Sequence, residues 1–326
     1  MQERDPRSLR ELHRLMLVAR RLDEEAIALQ RQGVLPGYAP AQGQEAAQVG
    51  SAAALDPARD FAFPGYRDLG AAVALGVDLV AYLATHLGIW HGGLYDPLAS
   101  RLAPFNAVVG GPVTHAVGWA MGAKLDGTGG AAITYFGDGA SSQGDVHEAM
   151  NFAGVYRLPV IFFCQNNGWA ISVPTGRQVA GGSVAARAAG YGIEGHRVDG
   201  NDVVAVFEAT RAALDRARDG GGPTVIEAMT YRMGPHSTSD DPGRYRALAD
   251  ERAWAARDPL TRAAAQLPAD AVAAAEEHAA AVVREVAEGL RTLGAPPADE
   301  LFSFVYREPT KALLEQQRAW KETLDV

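Results

Sequence analysis

The chain is poor in features that mark several protein classes. It has one cysteine in 326 residues, so no internal disulfide can staple it. No apolar run reaches the length of a membrane-spanning helix. The N-terminus, MQERDPRSLRELHR, is charged and lacks the apolar core of a signal peptide. The formal net charge is −9, and Lys and Arg form no long run and no cluster with aromatics, which argues against nucleic acid as a partner. No internal repeat occurs, and no strand-like run is followed by GxGxxG, so a dinucleotide fingerprint is absent. These absences leave the cytoplasm as the expected location, with neither membrane nor nucleic acid involved. The lone thiol, Cys164, falls in an apolar run and reads as a small core residue.

What is present is a chain 48% hydrophobic, able to bury a large core. It is organised around residues 131–170, AAITYFGDGASSQGDVHEAMNFAGVYRLPVIFFCQNNGWA. Ile133 to Phe136 is a short apolar run of the kind a buried parallel strand needs. Gly137-Asp138-Gly139 ends it. Ser141 or Ser142 is the expected cap of a helix to about Tyr156. Val160 to Cys164 is the next strand, ended by Asn166-Asn167-Gly168. In a right-handed βαβ unit both loops emerge at one carboxyl edge, so Asp138 and Asn167 are expected to be neighbours. A carboxylate, an amide oxygen and a nearby carbonyl suit Mg²⁺, and a helix N-terminus favours anions there. Either motif alone reads as an ordinary turn. Two of them, each after a strand and about thirty positions apart, point to a metal–diphosphate site.

The remaining chain fits a doubly wound, mostly parallel sheet flanked by helices, with helical extensions at both ends. We expect an N-terminal helical segment (1–58), an α/β core (59–249) and a C-terminal helical extension (250–326). Ser8 to Gln32 carries apolar residues at helical spacing, and Gly33 can end it. Asp60 to Phe63 is a short strand, and Arg67 at its carboxyl end is a candidate for bidentate phosphate contact. Residues 88–111 show no periodicity, Asp202 can cap a helix to about Asp219, and Thr224 to Tyr231 is a strand leading into the polar segment 232–242.

Several longer stretches resemble the alpha subunit of thiamine-diphosphate-dependent 2-oxo acid dehydrogenases: Gly65-Tyr66-Arg67-Asp68, FFCQNNGWAISVPT, GYGIEGHRVDGND and IEAMTYRMGPHSTSDDPGRYR. AMTYRMG, HSTSDD and VGSAAALD are most similar to the branched-chain subclass. The resemblance implies the thiamine diphosphate-binding fold, with thiamine diphosphate and Mg²⁺ as cofactors. It implies Asp138, Asn167 and the Trp169 carbonyl as metal ligands. Tyr66, Arg67 and Arg232 would contact the diphosphate, Gly139 and Ala140 would approach it through the backbone, and Val109 would be an apolar wedge. Ala107, Gly137 and Ala170 would also lie against the cofactor, and His236 would lie over the thiazolium ring as the catalytic residue. An imidazole of ordinary pKa is suited to proton transfer near neutrality.

The implied reaction is oxidative decarboxylation of a small branched-chain 2-oxo acid, such as 4-methyl-2-oxopentanoate, with acyl transfer to the lipoyl group of an acyltransferase component. The glutamate that activates the cofactor would come from a beta subunit, in an assembly of two alphas and two betas. Pyruvate or acetoin is the alternative substrate, and a catalytically inactive metal–diphosphate scaffold is the alternative of another class. The segment around His91 departs from the resembling pattern, and no potassium site is expected around 106–112. His147 reads as packed, and His13, His86, His196 and His278 as structural or solvated. His115 is a lesser candidate for the pocket. Ser237 and Ser239 resemble phosphorylated positions of mitochondrial relatives but read here as unmodified turn serines.

Overall fold

In the computed structural model, residues 8–88, 94–294, 300–303 and 305–324 are described. Two compact units occur, 1–290 and 291–326. The first contains α1 (Leu9–Arg31), α2 (Glu45–Ala53), α3 (Leu69–Ala74), α4 (Leu79–Ala84), α5 (Pro97–Ser100), α6 (Gly111–Leu125), α7 (Gly144–Tyr156), α8 (Val203–Arg218), α9 (Leu248–Ala255), α10 (Pro259–Ala264) and most of α11 (Ala269–Thr292). Its strands are β1 (Phe61–Phe63), β2 (Ala132–Gly137), β3 (Val160–Asn166), β4 (Trp169–Ala170), β5 (Val173–Pro174), β6 (Glu194–Asp199) and β7 (Thr224–Met229). The second unit carries α12 (Glu300–Ser303) and α13 (Lys311–Leu324), the latter opened by Thr310, whose Oγ1 accepts from the Leu313 N–H at 3.2 Å.

Five strands form one parallel sheet in the order β1-β2-β3-β7-β6, and β4 and β5 form a small antiparallel ribbon beyond β3. The expected doubly wound architecture holds. Side chains alternate along each strand, so each strand feeds two cores. Phe136, Val160, Phe162 and Cys164 pack with Val113, Val117 and Met150 of α6 and α7. On the opposite face Ile133, Tyr135, Ile161 and Phe163 are buried, and the Tyr135 hydroxyl meets Ser51 Oγ of α2 at 3.1 Å. Cys164 is fully buried, as expected of a core residue.

Register decides where the site falls. β2 and β3 pair from Ala132 opposite Val160 to Gly137 opposite Gln165. The two strands therefore end level, and the loops carrying Asp138 and Asn167 leave the same sheet edge side by side. One local expectation fails here. A 3₁₀ turn, Ala140–Ser142, follows the glycines, and α7 begins only at Gly144. Ser141 does not cap it, because its hydroxyl donates to the Asp138 carbonyl at 2.6 Å. The 3₁₀ turn, rather than the first turn of α7, therefore stands next to Asp138. By contrast, Ser8 caps α1 and Asp202 caps α8, as their spacing requires. No described helix is long and apolar enough to cross a membrane.

Candidate active site

The turn after β1 is held by a buried polar lattice. Both Asp68 oxygens are satisfied, one by the Gly65 N–H at 2.6 Å and the other by Gln165 Nε2 at 2.5 Å. Gln48 of α2 donates to the Arg67 carbonyl at 2.6 Å and to Gln165 Oε1 at 2.9 Å, and accepts from the Gly70 N–H at 2.8 Å. Burial raises the Asp68 pKa against these bonds. The lattice fixes the turn that presents Tyr66 and Arg67. The Arg67 guanidinium lies 5.4 Å from the Tyr66 ring centroid. It donates to the carbonyls of Pro40 and of His236, the latter at 2.7 Å, and meets His236 Nδ1 at 3.2 Å.

Asp138, directly after β2, is fully buried. Its Oδ2 accepts from Thr175 Oγ1 at 2.5 Å and from Gln178 Nε2 at 2.8 Å, while its Oδ1 has no partner. Burial raises its pKa, with the Thr175 hydrogen bond as the main opposing influence. An unpaired buried carboxylate oxygen is costly unless a cation or a donor meets it. Asn167 is clamped beside it: Nδ2 donates to Gln44 Oε1 at 2.9 Å, and Oδ1 accepts from the Trp169 N–H at 3.1 Å. Among the described residues no cluster of three or more His, Cys, Asp or Glu side chains could hold a metal. A donor set of one carboxylate, one amide oxygen and one main-chain carbonyl is a different kind of site. It suits a hard divalent cation that takes its remaining ligands from phosphate and water.

Arg232 is almost wholly buried, and its guanidinium also meets neutral partners. Nη2 donates to the Ile171 carbonyl at 2.7 Å and to the Tyr245 hydroxyl at 3.0 Å, and Nη1 lies 3.5 Å from the Trp169 carbonyl. Burial, followed by repulsion from Arg67, lowers its pKa. Two guanidiniums whose hydrogen bonds go to carbonyls and a hydroxyl form a strong anion site. Ile171, a β-branched residue at φ 55°, holds a strained backbone next to them.

His236 sits between the two arginines, with Arg232 Nη1 3.4 Å from its Nδ1. Guanidinium nitrogens only donate, so Nδ1 accepts and the ring proton resides on Nε2. Burial, then Arg67 and Arg232, push its pKa down to about 4. The expectation of an imidazole titrating near neutrality therefore fails for the cofactor-free chain. At neutral pH His236 is a neutral hydrogen-bond donor. Its loop is fixed by Asp240 Oδ2, which accepts from the His236 N–H at 2.8 Å and from the Tyr245 hydroxyl at 2.5 Å.

Every residue expected to meet the cofactor or the metal but one lines a single cleft of about 270 Å³ at this sheet edge, and the lesser candidate His115 also lies outside it. Ala107 is the exception; it is exposed and outside the lining. Val109, 44% exposed, stands at the cleft with Val108 beside it. Gly139 packs so tightly that a Cβ there would come within 2.7 Å of the Ala170 Cβ. His91 falls outside the described residues. His115 is exposed and does not line the cleft, and His147 pairs with the Tyr191 hydroxyl. Gln44, Thr175 and Gln178 orient Asn167 and Asp138 through hydrogen bonds and were not among the residues expected at the site. Thr175 lies within the resembling run FFCQNNGWAISVPT and was the one most open to detection.

Comparison with known proteins decides the family. The profile of the dehydrogenase E1 component matches residues 13–290. The chain belongs to the dehydrogenase E1 component family. Membership implies dependence on thiamine diphosphate. The chain is 44% identical over 323 residues to the 3-methyl-2-oxobutanoate dehydrogenase subunit alpha of Mycobacterium tuberculosis (strain ATCC 25618 / H37Rv), covering 97% of this chain and 88% of that one. It is 40% identical over 330 residues to the pyruvate dehydrogenase E1 component subunit alpha of Bacillus cereus, covering 99% and 88%. The Bacillus subtilis (strain 168) protein of the same name is 39% identical over 315 residues, covering 94% and 84%. These E1 relatives share the alpha-subunit designation and differ in the 2-oxo acid they are named for.

Proposed function

We propose that this chain is the alpha subunit of a cytoplasmic, branched-chain 2-oxo acid dehydrogenase, and that its cleft binds thiamine diphosphate with Mg²⁺. The observation that carries the reading is the pairing, in one cleft, of an unpaired buried Asp138 oxygen with two guanidiniums bound to neutral groups. A metal–diphosphate unit answers both charges at once. Asp138 Oδ1, Asn167 Oδ1 and the Trp169 carbonyl would hold Mg²⁺. Arg67, Arg232 and Tyr66 would hold the diphosphate, with Gly139 and Ala140 beside it and Val109 against the organic part. When bound, thiamine diphosphate would supply the nucleophile and the electron sink for decarboxylation of the 2-oxo acid.

The chain's own residues supply position, charge and a proton donor. His236, neutral and protonated on Nε2, donates a hydrogen bond to oxygen charge developing on the substrate. Arg67 and Arg232 keep its Nδ1 unprotonated and so fix that tautomer. The activating glutamate would come from a beta subunit in an assembly of two alphas and two betas. The acyl product would pass to a lipoyl-bearing acyltransferase component.

The test is to co-purify the chain with its beta partner and assay a panel of 2-oxo acids with thiamine diphosphate and Mg²⁺. Branched substrates such as 4-methyl-2-oxopentanoate should be turned over best. Decarboxylation of none of the acids would refute the enzyme reading and favour a scaffold. The 39–40% identities to pyruvate dehydrogenase alpha subunits keep a second reading alive. A preference for pyruvate would overturn only the branched-chain assignment.

A further inference from the structure

One buried carboxylate has no part in the cleft described above. Asp23 lies on α1, is 1% exposed, and is absent from the cleft lining. Its Oδ1 accepts from the Tyr38 hydroxyl at 2.8 Å and from the Ala41 N–H at 2.6 Å, and its Oδ2 has no partner. Both donors belong to the loop 36–44. Burial pushes its carboxyl up to about 7, against those two bonds, so at neutral pH the group carries a desolvation cost. Folding alone gains little from such a group.

The loop that Asp23 grips is bonded to the segments that present the site residues. The Pro40 carbonyl accepts from the Arg67 guanidinium. The Tyr38 carbonyl accepts from the Thr238 N–H at 2.9 Å, and the Gln42 carbonyl from the Met233 N–H at 2.9 Å. The Gly43 carbonyl accepts from Thr230 Oγ1 at 2.7 Å. Gln44, at the loop's end, accepts from Asn167 Nδ2 at 2.9 Å. Gly43 has φ +91° and lies against the Tyr231 carbonyl, so the loop's path requires glycine there. Glu45 secures the far end: it accepts from the Gly43 N–H at 3.0 Å and pairs with Arg20 at 2.5 Å, which also pairs with Asp258 at 3.0 Å.

We infer that Asp23 is a positioning residue that sets the 36–44 loop and, through it, Arg67, the His236 turn and Asn167 together. This rests on the reading of the cleft as a thiamine diphosphate site. The coupling is physical: the loop's carbonyls accept from Arg67 and from the segment that carries His236, the Gln44 side-chain oxygen accepts from Asn167, and Asp23 anchors the middle of the loop. Loss of the carboxylate frees the Ala41 N–H and the Tyr38 hydroxyl, and the Pro40 carbonyl shifts with them.

The test uses the full chain co-purified with its beta partner and three variants, Asp23→Ala, Asp23→Asn and Tyr38→Phe. Thiamine diphosphate is titrated in the presence of Mg²⁺, and hydrogen exchange is followed in peptides containing Met233 and Thr238. Asp23→Ala should weaken cofactor binding by roughly ten- to hundredfold, the loss expected for hydrogen bonds to a charged group. It should speed exchange at Met233 and Thr238, and kcat at saturating cofactor should fall less than the affinity does. Asp23→Asn keeps an acceptor oxygen and should recover most of the affinity. Tyr38→Phe removes one neutral donor and should cost about two- to tenfold. If Asp23→Ala fails to assemble, Tyr38→Phe with the exchange measurement decides. Unchanged affinity and unchanged exchange in the variants would overturn the inference while leaving the cofactor reading intact. An unmodified complex that binds no thiamine diphosphate would overturn the cofactor reading, and this inference with it.

Discussion

Asp138→Asn separates what this residue does for the fold from what it does for a ligand. In the metal-free chain Asp138 is fully buried, one oxygen is held by Thr175 and Gln178, and the other is unpaired. Asparagine can keep its oxygen at the Thr175–Gln178 position and turn its amide nitrogen to the unpaired side. A neutral amide costs less to bury than a charged carboxylate, so the metal-free variant should be more stable by about 1–2 kcal/mol. The sign follows from linkage. A carboxyl whose folded pKa is raised contributes stability only below its unfolded value and loses it as pH rises through the folded value. The variant's advantage should therefore be absent near the ordinary value of 3.8 and grow toward neutrality. With ligand the order reverses. At about one hundred times its dissociation constant a ligand adds ~2.7 kcal/mol. For a chain of this size that is a rise in Tm of about 4 °C. The variant's amide presents a donor where a cation needs an oxygen, so its rise with thiamine diphosphate and Mg²⁺ should be near zero. Differential scanning calorimetry on both forms, with and without ligand at two pH values, provides the comparison. A variant that is less stable without ligand would refute the burial argument, and one that retains the original ligand shift would refute the metal assignment of this carboxylate.

Two further outcomes follow from the same geometry. His236, lowered to about 4 by burial and two arginines, should show no ring titration near pH 6.5 by NMR in the cofactor-free chain, and its midpoint should rise when diphosphate is added. Its stability contribution is present above the unfolded value of 6.5 and is lost as pH falls toward 4; a midpoint near 6.5 without ligand would contradict the arrangement. Gly139→Ala brings a Cβ within 2.7 Å of the Ala170 Cβ, so the turn beside Asp138 must shift. We expect a stability cost of about 1–3 kcal/mol and weaker thiamine diphosphate binding in a titration. Binding at the original affinity would show that the turn does not meet the cofactor.

The sheet and half the site were legible because their signals are local. A short apolar run ended by glycine and a carboxylate gives a strand and its exit, and parallel pairing puts two such exits at one edge. Asp138 and Asn167 needed nothing more. The 3₁₀ turn after Gly139 was not legible, because Ser141 has two uses open to its hydroxyl and only the folded loop selects the Asp138 carbonyl. The shell of Gln44, Thr175 and Gln178 was hidden for a related reason. Each is an ordinary polar residue whose role exists only once a loop has been laid against another element.

Charge state is the property least available from a linear chain, and in this site it governs the chemistry. His236 reads in isolation as an imidazole of ordinary pKa. Its real environment is set by Arg232, four residues away, and by Arg67, 169 residues away, which meet at one nitrogen. Arg67 in turn is held by a carbonyl from the loop that Asp23 anchors. The tautomer that lets His236 donate from Nε2 therefore depends on α1, the turn after β1 and the segment after β7 acting together. None of these segments carries the information alone. A substitution on α1 that never touches the cleft can thus change the hydrogen bonding of the reactive end. That is why the site is better described by its mutual hydrogen bonds than by its motifs.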